Sequence, residues 1–224
     1  MPQAQEPFTR VAAAVCRALH LDDALRAIEL ASPMTTKVRI ASAEDYSGAA
    51  LRHVQVCAEQ FEHALNSRAL AEKVLAYRAP TKPRFLRPGG LTNAEVLHAL
   101  RAGEATRRAG RHQVIDLHLV LERGGGDGVV GFRRGKRIHT YADYFNSHDV
   151  PCMAGHLAHE YAHMAGFGHS REWKPGRKHT VPYALGELVY DVCVEHGAER
   201  CSCEVQEQQG WRYGARRLLE MIFG

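Results

Sequence analysis

No stretch of the chain runs apolar for the roughly 18 residues that a membrane-spanning helix needs, so no membrane span is expected. Charge of one sign is scarce as well. The formal net charge is +4, and the basic residues sit in short groups such as "TKPRFLRP", "ATRRAGRHQ" and "FRRGKR" rather than in one tract. A nucleic-acid footprint is therefore weakly signalled, and nucleic acid is not the favoured partner. The opening "MPQAQEPFTRVAAAVCRALHLDD" lacks a basic leader, a long apolar stretch and a small-residue cleavage site. It does not read as a signal peptide, which predicts a cytoplasmic protein and leaves release by a non-classical route open. Internal repeats are missing too, and low complexity is confined to the glycine turn "RGGGDG".

What is present suffices for a core. A chain of 224 residues, 45% of them hydrophobic, needs no disulfide scaffold, and one domain with at most a short appendage is expected. Of the six cysteines, Cys16, Cys57 and Cys152 lie singly in helix-like stretches, where reduced and buried thiols are expected. Cys193, His196, Cys201 and Cys203 in "CVEHGAERCSC" lack the paired spacing of a zinc ribbon. Free or packed thiols are expected there, with a structural metal site or a disulfide as the alternative.

Residues 8–30 carry a helical period broken near "HLDD", and "ASPMTTK" then interrupts it, so residues 1–33 read as an N-terminal helical appendage to a domain over 34–224. "KVRIAS" is a strand candidate. Leu51, Val54, Cys57, Phe61 and Leu65 recur at helical spacing, "RALAEKVLAY" is a second helix, and "RAPTKPRFLRPGG" is a loop. Thr92 and Glu95 stand at capping-box spacing before a helix that Gly103 closes. "QVIDLHLVLE" alternates with the period of a half-buried strand, "VVGF" is a short second strand and "RIHTYADYF" a third. Pro151 sits where a first-turn proline would open the helix "CMAGHLAHEYAHMAG". Helices, a small sheet and then a histidine-bearing helix give an α+β order.

The chemistry concentrates in "HLAHEYAHMAGFGHS". His159 and His163 are four apart, so on a helix both imidazoles leave one face and can hold a single ion, with Glu160 beside them. A catalytic zinc usually keeps three protein ligands and an open fourth position, and His169 is the natural third. A straight helix would carry His169 about 15 Å along the axis from His159, far outside bonds of roughly 2 Å. The helix must stop and turn back, and Gly166 can take the left-handed conformation that allows this. His156 falls a turn earlier and reads as a histidine behind the ligands or at the surface.

"HEYAHMAGFGH", His159 to His169, resembles the HExxHxxGxxH signature of metzincin zinc peptidases, with its glycine and third histidine. The methionine for which that group is named is missing, since none occurs between Met164 and Met221. "TVPY" is similar to the turn of astacin-type members, with Val181 where the methionine would be and Tyr183 where they carry a zinc-side tyrosine. The run from "GLTNAEVLHAL" to "VPYALGELV" also resembles small predicted metallopeptidases of bacteria and phages. A gluzincin pattern, with Glu187 or Glu195 as third ligand, is the competing one.

The resemblance implies a zincin-like (metzincin-like) domain with a small mixed sheet, an active-site helix and a C-terminal helical subdomain. It implies one catalytic Zn2+ held by His159, His163 and His169, and peptide or protein as substrate. The peptide bond would be hydrolysed through a metal-activated water, with Glu160 as general base and Tyr183 steadying the oxyanion. By chain order the substrate would lie along Val129, Val130, Gly131 and Phe132 as an edge strand. The alternative is an inactive or regulatory zincin-fold binding protein that contacts nucleic acid through its basic loops.

Overall fold

A computed structural model describes residues 35–102, 112–124, 129–169 and 176–197, together with Asp23. The alternation in "QVIDLHLVLE" becomes strand β2 (His112–Glu122), which buries Ile115, Leu117 and Leu119 and leaves Val114 exposed on the other face. Strand β1 (Thr35–Glu44) pairs with β2 in parallel, and β4 (Arg137–Tyr141) does so on the opposite side. Strand β3 (Gly131–Arg134) runs antiparallel along β4, and the order β1-β2-β4-β3 leaves it at the rim. With six α-helices beside this mixed four-stranded sheet, the described part is α+β, as expected.

Two of the expected strands differ in the structure. β3 covers 131–134 rather than Val129–Phe132, because the hairpin turn sets its register. Gly135, at φ +61°, and Lys136 form a two-residue connection that fixes Arg134 opposite Arg137, and the strand counts back from there. Val129 is 51% exposed, and Val130 precedes the strand while lending its carbonyl to the Tyr141 amide at 3.1 Å. "RIHTYADYF" is only half strand. β4 stops at Tyr141, and helix α4 (Ala142–Ser147) follows, which brings Phe145 into edge contact with Tyr46 and His53 at 5.2 Å each. Burial of that ring outweighs the local β preference.

The helical expectations hold where periodicity was strong. Helix α1 (Gly48–Asn66) buries Val54, Cys57, Phe61 and Leu65, and α2 (Arg68–Ala76) follows at once. Helix α3 (Asn93–Ala102) starts on the expected capping box: Glu95 accepts from the Thr92 amide at 2.8 Å, and the Thr92 hydroxyl accepts from the Glu95 amide at 3.2 Å. Helix α5 (Val150–Met164) is capped by the Asp149 side chain, which accepts from the Cys152 amide, and Pro151 lies in its first turn. Tyr161 on α5 donates to the Leu100 carbonyl of α3 at 2.7 Å. Helix α6 (Val181–Glu195) buries Val181, Leu185, Val189 and Val192 in the same core as α1 and α5. Val181, Pro182 and Tyr183 form the first turn of this helix, a position that suits a proline.

The cysteines depart from a uniformly reduced set. Cys57 and Cys193 are free and buried, whereas Cys152 is disulfide-bonded. Cys16, Cys201, Cys203, Gly103, most of the glycine turn and all of the expected appendage but Asp23 lie outside the described residues. Among the described residues no helix is long and apolar enough to cross a membrane.

Candidate metal centre

Helix α5 passes through the core with Ala154, Leu157, Ala158, Tyr161 and Ala162 buried, so its register is fixed by packing. That register turns His159 and His163 to one face, their ring centroids 5.1 Å apart. The helix then ends as the sequence demands. The Gly166 amide donates to the His163 carbonyl at 3.2 Å and the Phe167 amide to the Ala162 carbonyl at 3.0 Å, with Gly166 at φ +93° and Phe167 buried. Those bonds and that φ make a Schellman cap. It returns the chain so that His169 stands 5.5 Å from His159 and 4.7 Å from His163, ring to ring. One ligand atom from each of the three histidines lies within 4.8 Å of the others, close enough to hold one metal ion.

The cap also orients one of these three histidines, which sequence reasoning missed. His163 Nδ1 lies 2.9 Å from the Phe167 carbonyl, and a carbonyl can only accept, so Nδ1 carries the hydrogen and Nε2 keeps its lone pair. Burial holds His159 well below the ordinary imidazole range, and the neighbouring imidazoles and Arg177 add to this. Burial lowers His163 too, against the pull of its bond to Phe167. Neutral imidazoles are the form that binds metal. Neither glutamate of the competing pattern joins the group: Glu195 is bonded to Lys73 at 2.8 Å on the surface, and Glu187 is exposed.

Because the cap depends on a positive φ, Gly166→Val is expected to cost about 1–3 kcal/mol. Among the described residues no atom lies within 4 Å of a Cβ at this position, so the expected strain is that of the backbone. Metal affinity measured by competitive chelation should fall by about tenfold or more, and Gly166→Asn should lose less because asparagine tolerates positive φ.

Glu160 points its carboxyl into the same space, with Oε1 4.0 Å from His159 Nε2. It is 5% exposed, and burial pushes its carboxyl up to about 7, opposed by the Arg133 charge. Tyr183 reaches the site from α6, its ring 4.5 Å from His159 and 4.9 Å from His169, with the Arg177 guanidinium 5.0 Å above it. This approach depends on two glycines. A Cβ at Gly155 of α5 would meet the Gly186 carbonyl oxygen at 2.7 Å, and one at Gly186 would meet the Gly155 carbonyl oxygen at 2.9 Å. The two backbones therefore touch where α6 crosses α5.

His156 is buried. Its Nε2 lies 3.0 Å from the Thr140 hydroxyl, and burial pushes it down to about 4, with His148 adding to the shift. The ring packs under β3: a Cβ at Gly131 would come within 2.9 Å of it and within 2.2 Å of the His139 carbonyl oxygen. Gly131→Ala should push the rim strand away from β4, at about 1–3 kcal/mol in urea unfolding. On the other face of β3, Phe132 stacks on His139 at 4.7 Å, and His139 Nδ1 lies 2.6 Å from Glu122.

Of the expected site residues, His159, Glu160, His163, His169 and Tyr183 are brought together, Gly166 is the reversal, and Gly131 and Phe132 lie on the rim strand. Val129 and Val130 do not. Set against family models, curated proteins and solved structures, the chain matches none of them.

Proposed function

We propose that the chain is a zinc-dependent endopeptidase with a metzincin-like site. What carries this is the triangle of histidine ligand atoms within 4.8 Å, with the Glu160 carboxyl beside it in a buried setting. Three neutral nitrogen donors suit zinc among the divalent ions, and they leave it a further position for substrate. A carboxylate that is no ligand has no purpose at a purely structural site. The mixed sheet, with an antiparallel rim strand near the ligand helix, supports a zincin-like fold.

Bound zinc supplies a Lewis acid that polarises a carbonyl oxygen and lowers the pKa of water toward about 7. Glu160 takes the proton of the attacking water onto its carboxylate and returns it to the nitrogen of the leaving amine. The Tyr183 phenol donates to the oxygen on which negative charge develops. The outer edge of β3 offers main-chain hydrogen bonds to an extended peptide, a role that moves from Val129–Phe132 to Gly131–Arg134. His163 is held in register by its bond to the Phe167 carbonyl.

Casein digestion with and without a chelator tests this reading. The zinc-loaded protein should cleave casein, lose activity on chelation and regain it with added zinc. Stoichiometric zinc with no cleavage of casein or of a broad peptide mixture contradicts the proposal.

A further inference from the structure

Resting on the peptidase reading, we infer that the loop between α2 and α3, together with the turn before α6, is a docking face for an acidic segment of the protein substrate, beside the metal centre and apart from the scissile bond.

The loop is held in shape from several sides. The Lys82 amide donates to the Ala79 carbonyl at 3.2 Å and the Ala79 amide to the Arg84 carbonyl at 3.4 Å, which closes a tight turn. Asn93, at the head of α3, donates to the Tyr77 carbonyl at 2.9 Å, and the buried Phe85 ring stacks on Tyr77 at 4.2 Å. On the far side the loop meets the 3-10 turn Arg177–His179. The Leu86 amide donates to the His179 carbonyl at 2.9 Å, and the Tyr77 hydroxyl lies 2.9 Å from His179 Nδ1. A Cβ at Gly176 would come within 3.0 Å of the Leu86 side chain, so the two segments are in close contact.

This shape turns cations outward. Arg78, Lys82 and Arg87 of the loop and Lys178 of the turn are exposed, and Arg84 is half-buried. Among the described residues no carboxylate lies within salt-bridge distance of any of the five. Glu187 of α6 feels the Lys178 charge, yet no ion pair closes between them. Elsewhere Lys37, Arg39, Arg68, Lys73 and Arg137 each meet a carboxylate at 3.0 Å or less. Arg87 also stands at φ +54°, a conformation that a side-chain-bearing residue rarely adopts.

The face adjoins the site. His179 precedes Thr180, the N-cap residue of α6, and Tyr183 in the first turn of that helix lies 4.5 Å from His159 and 4.9 Å from His169, ring to ring. Guanidinium groups pair with carboxylates and with phosphates alike. A single-stranded nucleic acid also wants open aromatic faces, and the two rings of this loop are taken up by each other, with Phe85 buried. An acidic polypeptide needs only the charge. Holding a second segment of the substrate makes that contact intramolecular, which raises affinity without altering the chemistry at the metal.

Fluorescence anisotropy on the full-length Glu160→Gln chain, loaded with zinc, compares three labelled peptides of equal length rich in glutamate, glutamine or lysine. The glutamate peptide should bind about tenfold or more tighter than the lysine peptide. Arg78→Glu combined with Arg87→Glu should abolish that preference, and Arg78→Lys combined with Arg87→Lys should keep most of it. Arg87→Gly removes one charge while suiting the positive φ, so the weaker binding expected of it cannot come from a misplaced loop. Equal binding of the three peptides, a preference unmoved by the double charge reversal, or displacement of the glutamate peptide by a single-stranded oligonucleotide of equal charge at lower concentration, overturns the inference. Kinetics on the wild-type chain then test the substrate role. A glutamate tail remote from the scissile bond should lower KM by about tenfold and leave kcat unchanged. Equal KM with and without the tail overturns that role. If no substrate is cleaved, the peptidase reading fails by itself, and anisotropy still decides whether this face takes acidic chains.

Discussion

Replacing Glu160 with glutamine is expected to lower peptide hydrolysis by about a hundred- to ten-thousand-fold while the protein keeps its metal. The amide has the shape of the carboxylate but cannot take up the water's proton, so proton transfer is lost and the rest of the pocket is preserved. Stability should not suffer. The carboxyl sits where burial already disfavours its charge, and a neutral amide of equal size escapes that penalty. Metal content should match wild type, because Glu160 lies outside the group of three histidines that can hold the ion. Steady-state kinetics and metal analysis on one preparation separate the two effects. Equal activity in variant and wild type would remove Glu160 from the chemistry.

The second large effect is expected from Gly155→Val. Glycine in a helix interior is ordinarily a weakness, and alanine there gains roughly 0.5–1 kcal/mol. At this position the gain is overridden, because the new Cβ would lie 2.7 Å from the Gly186 carbonyl oxygen, a backbone atom that no side-chain rotation moves away. Helices α5 and α6 must separate, at a cost of about 3 kcal/mol. The functional consequence is specific: the Tyr183 ring, 4.5 Å from His159, retreats with α6, while His159, His163 and the Gly166 cap all belong to the α5 side and its immediate continuation. Urea unfolding should show the loss of stability, and hydrolysis should weaken more than metal binding does. A variant as stable as wild type would mean that the helices have room to spare.

Much of the site was legible because its determinants are local. The pair His159 and His163 needs only helical spacing, and the reversal to His169 needs only a residue that accepts positive φ, which Gly166 supplies at +93°. Helix α1 was legible for a similar reason, since Val54, Cys57, Phe61 and Leu65 repeat with the helical period. Thr92 and Glu95 satisfy each other's amides three residues apart. What could not be read is what depends on partners distant in sequence. Gly155 and Gly186 are each an unremarked helix glycine until α6 crosses α5, and His156 acquires its role from Thr140 and Gly131.

The error over β3 is instructive, because a signal was there. "FRRGKR" reads first as a cluster of charge, yet its glycine is the hairpin turn that sets the strand, and counting back from Gly135 gives 131–134. Helix α4 left no comparable mark. "ADYF" has aromatic residues that suit a strand, and only the pocket between Tyr46 and His53 turns Phe145 inward on a helix. The disulfide at Cys152 likewise has no spacing signal in a helix-opening "PCMAG".

Metal content by mass spectrometry, on protein dialysed against dilute zinc, compares wild type with His169→Ala most directly. A tripod closed by the cap at Gly166 predicts about one zinc per wild-type chain and a large loss in the variant, since two imidazoles alone hold zinc poorly. Wild-type protein without zinc, or a variant that keeps its full complement, would contradict the three-histidine centre.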